Sequence, residues 1–155
     1  MPRNTISKPE LSEARQQGFY NISEAAKLSG ISAKMIRHYE KIGLIPDSNR
    51  TLANYRIFKE SDIHSLIFIK RARSLGFSMK RIATLLDLYN DKNRSSADVK
   101  KLANQHIREL EESMQKLQQM TDALRELADS CHGDERPDCP ILEGMSCKMN
   151  EKWSL

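Results

Sequence analysis

Two rhythms of apolar and polar residues divide the chain. In the second half, mostly apolar positions recur at strict 4-3 spacing from Val99 through Ala103, His106, Leu110, Ser113, Leu117, Met120, Leu124 and Leu127 to Cys131. Heptads sustained in this way predict a coiled-coil helix. Ser95, with Asp98 three residues on, starts it as a variant of the capping box. A helix of about 30 residues rises near 45 Å. That is too long to bury its stripe on a small core, so the pattern calls for pairing with a second copy. His106 and Ser113 are polar members of the seam, where such residues fix register at a cost in stability. His106 reads equally as a residue on a solvated flank.

The first half is written in shorter periods. Residues 1–20 show no clean period and read as a flexible leader. Ser23 is placed to cap a short helix from Glu24 to Leu28, broken by Ser29-Gly30-Ile31. Ser32 caps a second helix from Ala33 to about Ile42, closed by Gly43. Two short helices around a Gly-containing turn predict a helix-turn-helix, packed through Ala26, Leu28, Ile31, Ile36 and Tyr39. After a turn at 44–47, the stretch from Arg50 to Phe58 predicts a small β-hairpin, or wing, turning at Asn54. Ser61 caps a third helix with Ile63, Leu66, Ile67 and Lys70 on one face. Ser78 caps a fourth, with Ile82, Leu85, Leu86 and Tyr89 inward. The polar stretch from Asn90 to Arg94 marks a boundary. The fold class is therefore mainly α. A winged helix-turn-helix domain over 21–94 follows the leader. After it come a dimerisation helix over 95–130, a loop and short helix over 131–147, and a tail over 148–155.

Composition narrows the class. The chain has 155 residues, 39% hydrophobic and 30% charged, with only 6 Gly and 5 Pro, which fits a folded helical protein. No apolar run reaches the length of a membrane span. The start lacks the apolar stretch of a secretory signal, so with three Cys the expected setting is the cytoplasm, with reduced thiols and no membrane partner. The net charge of +4 is unevenly spread. Residues 21–94 hold 14 Lys+Arg against 7 Asp+Glu, whereas residues 95–155 hold 8 against 12. A basic first half joined to an acidic second half points to a polyanion that only the first half meets.

The candidate contacts lie on the second helix and the wing. A helix of this size fits the major groove, and its N-terminal half reaches base edges. Lys34 and Arg37, three apart, lie on one face, with His38, Tyr39 and Lys41 beyond them. Tyr39 reads first as a core residue and only second as a DNA contact. In the wing, Arg50, Tyr55 and Arg56 offer two cations and a phenol to phosphates. Lys70, Arg71 and Arg73 extend the basic face along the third helix.

These stretches resemble a known family. Ile22-Ser23-Glu24-Ala25-Ala26, then Ile36-Arg37-His38-Tyr39-Glu40-Lys41-Ile42-Gly43-Leu44-Ile45, then Asn54-Tyr55-Arg56, and later Leu75-Gly76-Phe77-Ser78 are similar to the DNA-binding module of the MerR family of transcription regulators. The resemblance covers about residues 21–145. One departure is Asn54, where members often carry Gly; Asn tolerates a left-handed backbone, so the hairpin is expected to form. The resemblance implies a homodimer joined by an antiparallel coiled coil, bound to a palindromic operator in promoter DNA, and acting on RNA polymerase at that promoter. It implies a regulator rather than an enzyme. No Cys-x-x-Cys, nucleophile–base pair or phosphate loop appears in the sequence.

The remaining chemistry lies in Cys131-His132-Gly133-Asp134-Glu135-Arg136-Pro137-Asp138-Cys139, two thiols bounding a seven-residue loop. Cys139 precedes Pro140, a residue favoured at the first position of a helix, so it sits where thiolate is stabilised. Two thiolates and a monovalent ion leave a net −1, and soft thiolates suit Cu(I), with Ag(I) and Au(I) by the same softness. Zn(II) wants two further ligands, which His132 and Cys147 stand near enough in sequence to supply. On spacing alone a metal site, a disulfide and inert thiols all remain open.

The loop ending in Cys139-Pro140-Ile141 is similar to the metal loop of the copper-efflux (CueR-like) branch of the MerR family. That resemblance implies Cys131 and Cys139 as metal ligands. It also implies Ser96 as the selectivity position, where divalent sensors have Cys and monovalent ones Ser. The implied function is a Cu(I)-responsive activator that distorts an overlong promoter spacer to induce metal-efflux genes. The alternatives are a divalent-metal (Zn, Cd or Pb) or thiol-redox sensor of the same family. A drug-sensing relative would need a larger C-terminal ligand domain.

Overall fold

A computed structural model describes residues 8–135 and 137–146. In chain order the elements are α1 (Leu11–Gln16), β1 (Tyr20–Asn21), α2 (Ile22–Ser29), α3 (Ala33–Lys41), β2 (Asn49–Arg50), β3 (Arg56–Phe58), α4 (Glu60–Ser74), α5 (Met79–Asn90), α6 (Ser96–Asp129) and α7 (Pro140–Ser146). The chain divides into two compact units, with the division between Ser95 and Ser96. No helix among the described residues is long and apolar enough to cross a membrane.

In the first unit, helices α2 to α5 close around a core formed by Ala25, Ile36, Tyr39, Phe58, Leu66, Ile69, Ile82 and Leu86. Helices α2, α3 and α5 start with a side-chain cap. Asn21 accepts from the Glu24 amide at 2.9 Å, and the Glu24 carboxylate accepts from the Asn21 amide at 2.8 Å, a reciprocal capping box. Ser32 caps α3 and Ser78 caps α5, each through the third residue's amide. Gly30 ends α2 in the left-handed region at φ 68°, where a side chain would be strained. The wing forms as expected from the turn chemistry. β2 pairs antiparallel with β3, and Asn54 takes φ 66°, the one described non-Gly residue with positive φ.

Several expectations need correction. The leader is structured from Glu10 onward: α1 buries Ala14, and β1 adds an antiparallel third strand beside β3, in the order β1-β3-β2. Residues this close to the terminus gave no period because α1 is under two turns long, too short to show one. The cap of α2 is Asn21, not Ser23, because the helix begins one residue before Ser23. The third helix begins at Glu60 rather than after Ser61, and the Asp62 carboxylate accepts from the Lys59 amide at 2.8 Å. Its buried face is Ile63, Leu66, Ile69 and Ala72, with Lys70 exposed and Ile67 half-buried. Leu28 is exposed, and Ala25 takes the packing position expected of it. Tyr89 is also exposed, its ring tilted by 32° against Phe68 at 5.2 Å between centroids.

The second unit is one long helix and a short one. α6 runs 34 residues, about 51 Å at 1.5 Å per residue. Of the seam residues, Leu110, Leu117, Met120 and Leu124 are exposed in the single chain. His106 is buried, which removes the reading of a solvated flank. Ser113 turns its hydroxyl back to the Glu109 carbonyl at 2.8 Å, a local bond that hides part of its polarity.

Candidate nucleic-acid interface and metal loop

α3 is amphipathic at helical spacing. Ile36, Tyr39 and Glu40 face inward, while Lys34, Arg37, His38 and Lys41 are exposed at positions i, i+3, i+4 and i+7. One helix face thus carries three cations and an imidazole, the donor set that meets base edges and phosphates. Tyr39 is not on that face, and the expectation of a DNA contact from it is corrected: its ring is buried in the core. Its hydroxyl accepts from Arg73 Nη1 at 2.8 Å, so a core phenol holds a surface guanidinium of α4 in place. Arg73 also borders a groove of about 370 Å³ with Gly30, Ser32, Tyr39 and Lys70. The cations of α4 therefore lie beside the turn that precedes α3.

The wing is tied to α3 through a residue that the sequence reading passed over. Glu40 is 8% exposed. Its Oε2 accepts from Arg56 Nε at 2.7 Å, and its Oε1 accepts from the Ser48 amide at 2.8 Å. Burial pushes the Glu40 carboxyl up, but Ser48 and the Arg56 guanidinium outweigh it and hold the carboxyl below its ordinary value. Arg56 thus braces the wing on α3 through its Nε. Arg50 Nη1 donates to the Asn54 carbonyl at 3.1 Å across the hairpin turn. Tyr55 is exposed at the same turn. An acid inside an otherwise basic helix was the available signal for Glu40.

The candidate metal loop begins where α6 ends. The Ser130 and Cys131 amides donate to the Glu126 and Ala128 carbonyls, carrying the last turn up to the first thiol. Gly133 then takes φ 64°, reversing the chain. Pro140 opens α7, and the Glu143 amide donates to the Cys139 carbonyl at 3.0 Å, placing the second thiol at the start of that helix. Cys131 and Cys139 are both free and half-buried, and they line one cleft of about 260 Å³ with His132, Asp138, Pro140 and Glu143. Among the described residues no group of three or more His, Cys, Asp or Glu side chains is arranged to hold a metal ion. A donor set of two thiols suits a soft ion.

α7 lies against α6 at Gly144. A Cβ there would collide with the Leu127 side chain, so a residue without one permits the close approach that holds the loop's far end. Sequence reasoning did not single out Gly144. Ser96 is the first residue of α6 and is exposed. The full length of that helix, about 50 Å, separates it from Cys131 within one chain. Arg136, Cys147 and the tail over 148–155 lie outside the described residues.

A helix-turn-helix with a basic outward face, followed by a wing, defines a winged helix-turn-helix DNA-binding protein. The family model described as "MerR family regulatory protein" matches residues 21–58, and that described as "MerR, DNA binding" matches residues 63–127. The chain is 54% identical over 123 residues to heavy metal-dependent transcription regulator 2 of Rhizobium meliloti (strain 1021), covering 79% of this chain and 84% of that protein. It is 40% identical over 126 residues to the regulator CueR of Salmonella typhimurium, covering 81% and 91%. Among solved structures it resembles the transcription regulator PbrR691 from Ralstonia metallidurans CH34 in complex with lead(II). The TM-score is 0.73 at 28% identity, covering 82% of this chain and 99% of that one. The chain belongs to the MerR family of DNA-binding transcription regulators, which are not enzymes.

Proposed function

We propose that this chain is a cytoplasmic, homodimeric transcription activator that senses a monovalent copper-group ion through Cys131 and Cys139. The observation that carries the reading is the pair of free, half-buried thiols lining one cleft at the end of α6. The relative from Rhizobium meliloti, described as heavy metal-dependent, and the lead(II)-bound PbrR691 support metal response in general. The likeness of the loop to copper-efflux regulators supports Cu(I), with Ag(I) and Au(I) as alternative inducers.

The division of labour follows the chain. Residues 21–94 bind promoter DNA, α6 pairs with a second copy, and the 131–147 segment receives the ion. The exposed apolar residues of α6 supply the pairing surface. Antiparallel pairing of two such helices would bring Ser96 of one protomer toward the metal loop of its partner, a meeting that one chain cannot make. A neutral serine there adds no negative charge, which favours a +1 ion over a +2 ion. Each two-fold-related α3 enters a half-site of a palindromic operator. Metal shifts the dimer toward a form that bends and untwists the spacer for RNA polymerase, and this requires that the ion bind that form more tightly.

The test is an anaerobic titration of the reduced protein with Cu(I), and separately Zn(II), against a competing chelator. Cys131→Ser and Cys139→Ser are carried alongside. One tight Cu(I) per chain, lost in both variants while DNA binding persists, is the expected result. Tight Zn(II) dependent on Cys147 or His132 would overturn the choice of ion and leave the family assignment standing.

A further inference from the structure

The segment ahead of the family match has a defined place in the fold. It begins at the wing: the Leu52 amide, in the turn between β2 and β3, donates to the Pro9 carbonyl at 3.1 Å. It continues through α1, where Ala14 is 1% exposed and its carbonyl accepts from the Phe19 amide at 2.9 Å. Arg15 Nη2 reaches Glu24 Oε1 at 3.0 Å, and the other oxygen of that carboxylate already caps α2. The segment ends in β1, where Tyr20 pairs with Phe58 of β3. One short stretch therefore touches the wing turn, the first helix of the helix-turn-helix and the central strand of the sheet. The family model match starts at residue 21, after this stretch.

From this arrangement we infer that residues 9–16 are a brace that fixes the wing turn for DNA binding. They are positioning residues rather than DNA contacts. The wing turn needs such help. It is held from within by the Thr51 amide on the Tyr55 carbonyl, by the Asn54 amide on the Thr51 carbonyl, and by Arg50 on Asn54. All of these bonds lie inside the hairpin, whose base is positioned by Arg56 on Glu40 and by the buried Thr51, 1% exposed. The bond from Leu52 to Pro9 reaches out of the hairpin at its tip, where the Leu52 side chain is 65% exposed and gives no anchorage. Among the described residues the sheet pairs only residues 20–21, 49–50 and 56–58, so the turn between Arg50 and Arg56 lies beyond its ladder. A tip fixed at both the strand and the turn meets phosphate with less ordering left to do, which raises affinity.

The prediction is read first in the free protein, by amide hydrogen exchange. The variants are a chain lacking residues 1–17, the full chain with Ala14→Glu, and the milder Arg15→Ala. Loss of the brace should speed exchange at Leu52 while the amides of Ile36 and Leu66 stay protected, which also shows that the unit remains folded. Affinity for a duplex enriched by the full chain from a random pool should fall about 3- to 10-fold in the first two variants, the equivalent of one hydrogen bond. Arg15→Ala should move both readouts in the same direction by less. Unchanged exchange at Leu52, or equal or tighter DNA binding in the truncated chain, would overturn the brace. A fall in affinity with Leu52 exchange unchanged would overturn it too, in favour of direct DNA contact by the segment. Metal binding at the 131–139 loop enters neither readout, so failure here leaves the proposed sensing function untouched.

Discussion

In the unit ending at Ser95, Ile36, Tyr39, Phe58, Leu66, Ile69 and Ile82 are almost wholly buried, and the buried acid Glu40 has found its partners. In α6, Leu110, Met114, Leu117, Met120 and Leu124 are 43–69% exposed, and His106 is the one described residue of that helix that is buried. The first unit buries a core of its own within one chain. The second leaves most of the α6 stripe exposed, with α7 seated on it at Leu127. Folding free energy for the first therefore comes from its own core, whereas for the second it must come from association, which makes it concentration-dependent. A regulator built this way can change how two copies meet without disturbing the part that reads DNA.

The largest effect should follow from attacking the stripe. Leu117→Glu with Leu124→Glu places two charges where the apolar face needs a cover. Sedimentation should show a monomer, and operator affinity should fall by well over tenfold as one half-site contact is lost. The melting of the first unit should change little, and its collapse together with the dimer would break the contrast. Next in size, Leu66→Ala opens a cavity in the first core and should cost about 2–5 kcal/mol in urea unfolding, with the oligomeric state at low denaturant unchanged.

Glu40→Gln should cost less, about 1–2 kcal/mol, because its single amide oxygen can accept from only one of the two donors, Arg56 Nε and the Ser48 amide, and the charge assistance is lost. Its pH dependence is specific. The Glu40 carboxyl is held below its ordinary value, so the stability it contributes is complete above the unfolded value of about 4.3. That contribution is lost as pH falls through the lower folded value. Acid titration of the first unit should be less steep below about pH 4 in the Gln variant, and equal profiles would deny Glu40 its role. The smallest effect on stability should come from Gly144→Val. The added side chain presses on Leu127 and shifts α7, so it should weaken metal binding at the loop while DNA affinity stays at the parent level. Unimpaired metal binding would show that the loop does not depend on the seating of α7.

The helix-turn-helix and the heptads could be read because their signals are periodic or local. Ser32, Gly30 and Ser78 act within a turn of their own position, and the seam from Val99 repeats every seven residues. The caps at Asn21 and Lys59 were misplaced because Ser23 and Ser61 each stand within two residues of the true start, where cap preference alone does not discriminate. The brace at residues 9–16 has too few turns to show a period, and its partner Leu52 is far along the chain. Glu40 with Arg56, Tyr39 with Arg73 and Gly144 with Leu127 are contacts between separate elements, and no spacing rule announces them. At the metal loop, residue types named the thiols, but their shared cleft and the seat of α7 needed the fold.

The bond between the Arg73 guanidinium and the buried Tyr39 hydroxyl has a thermodynamic consequence. An arginine free to sample its rotamers surrenders up to about 2 kcal/mol of side-chain entropy when a phosphate captures it. Arg73 has surrendered part of that already, during folding, because the core phenol orients it. Calorimetry should then find that Tyr39→Phe, which removes only the acceptor, makes DNA binding entropically less favourable while leaving the number of released counterions unchanged.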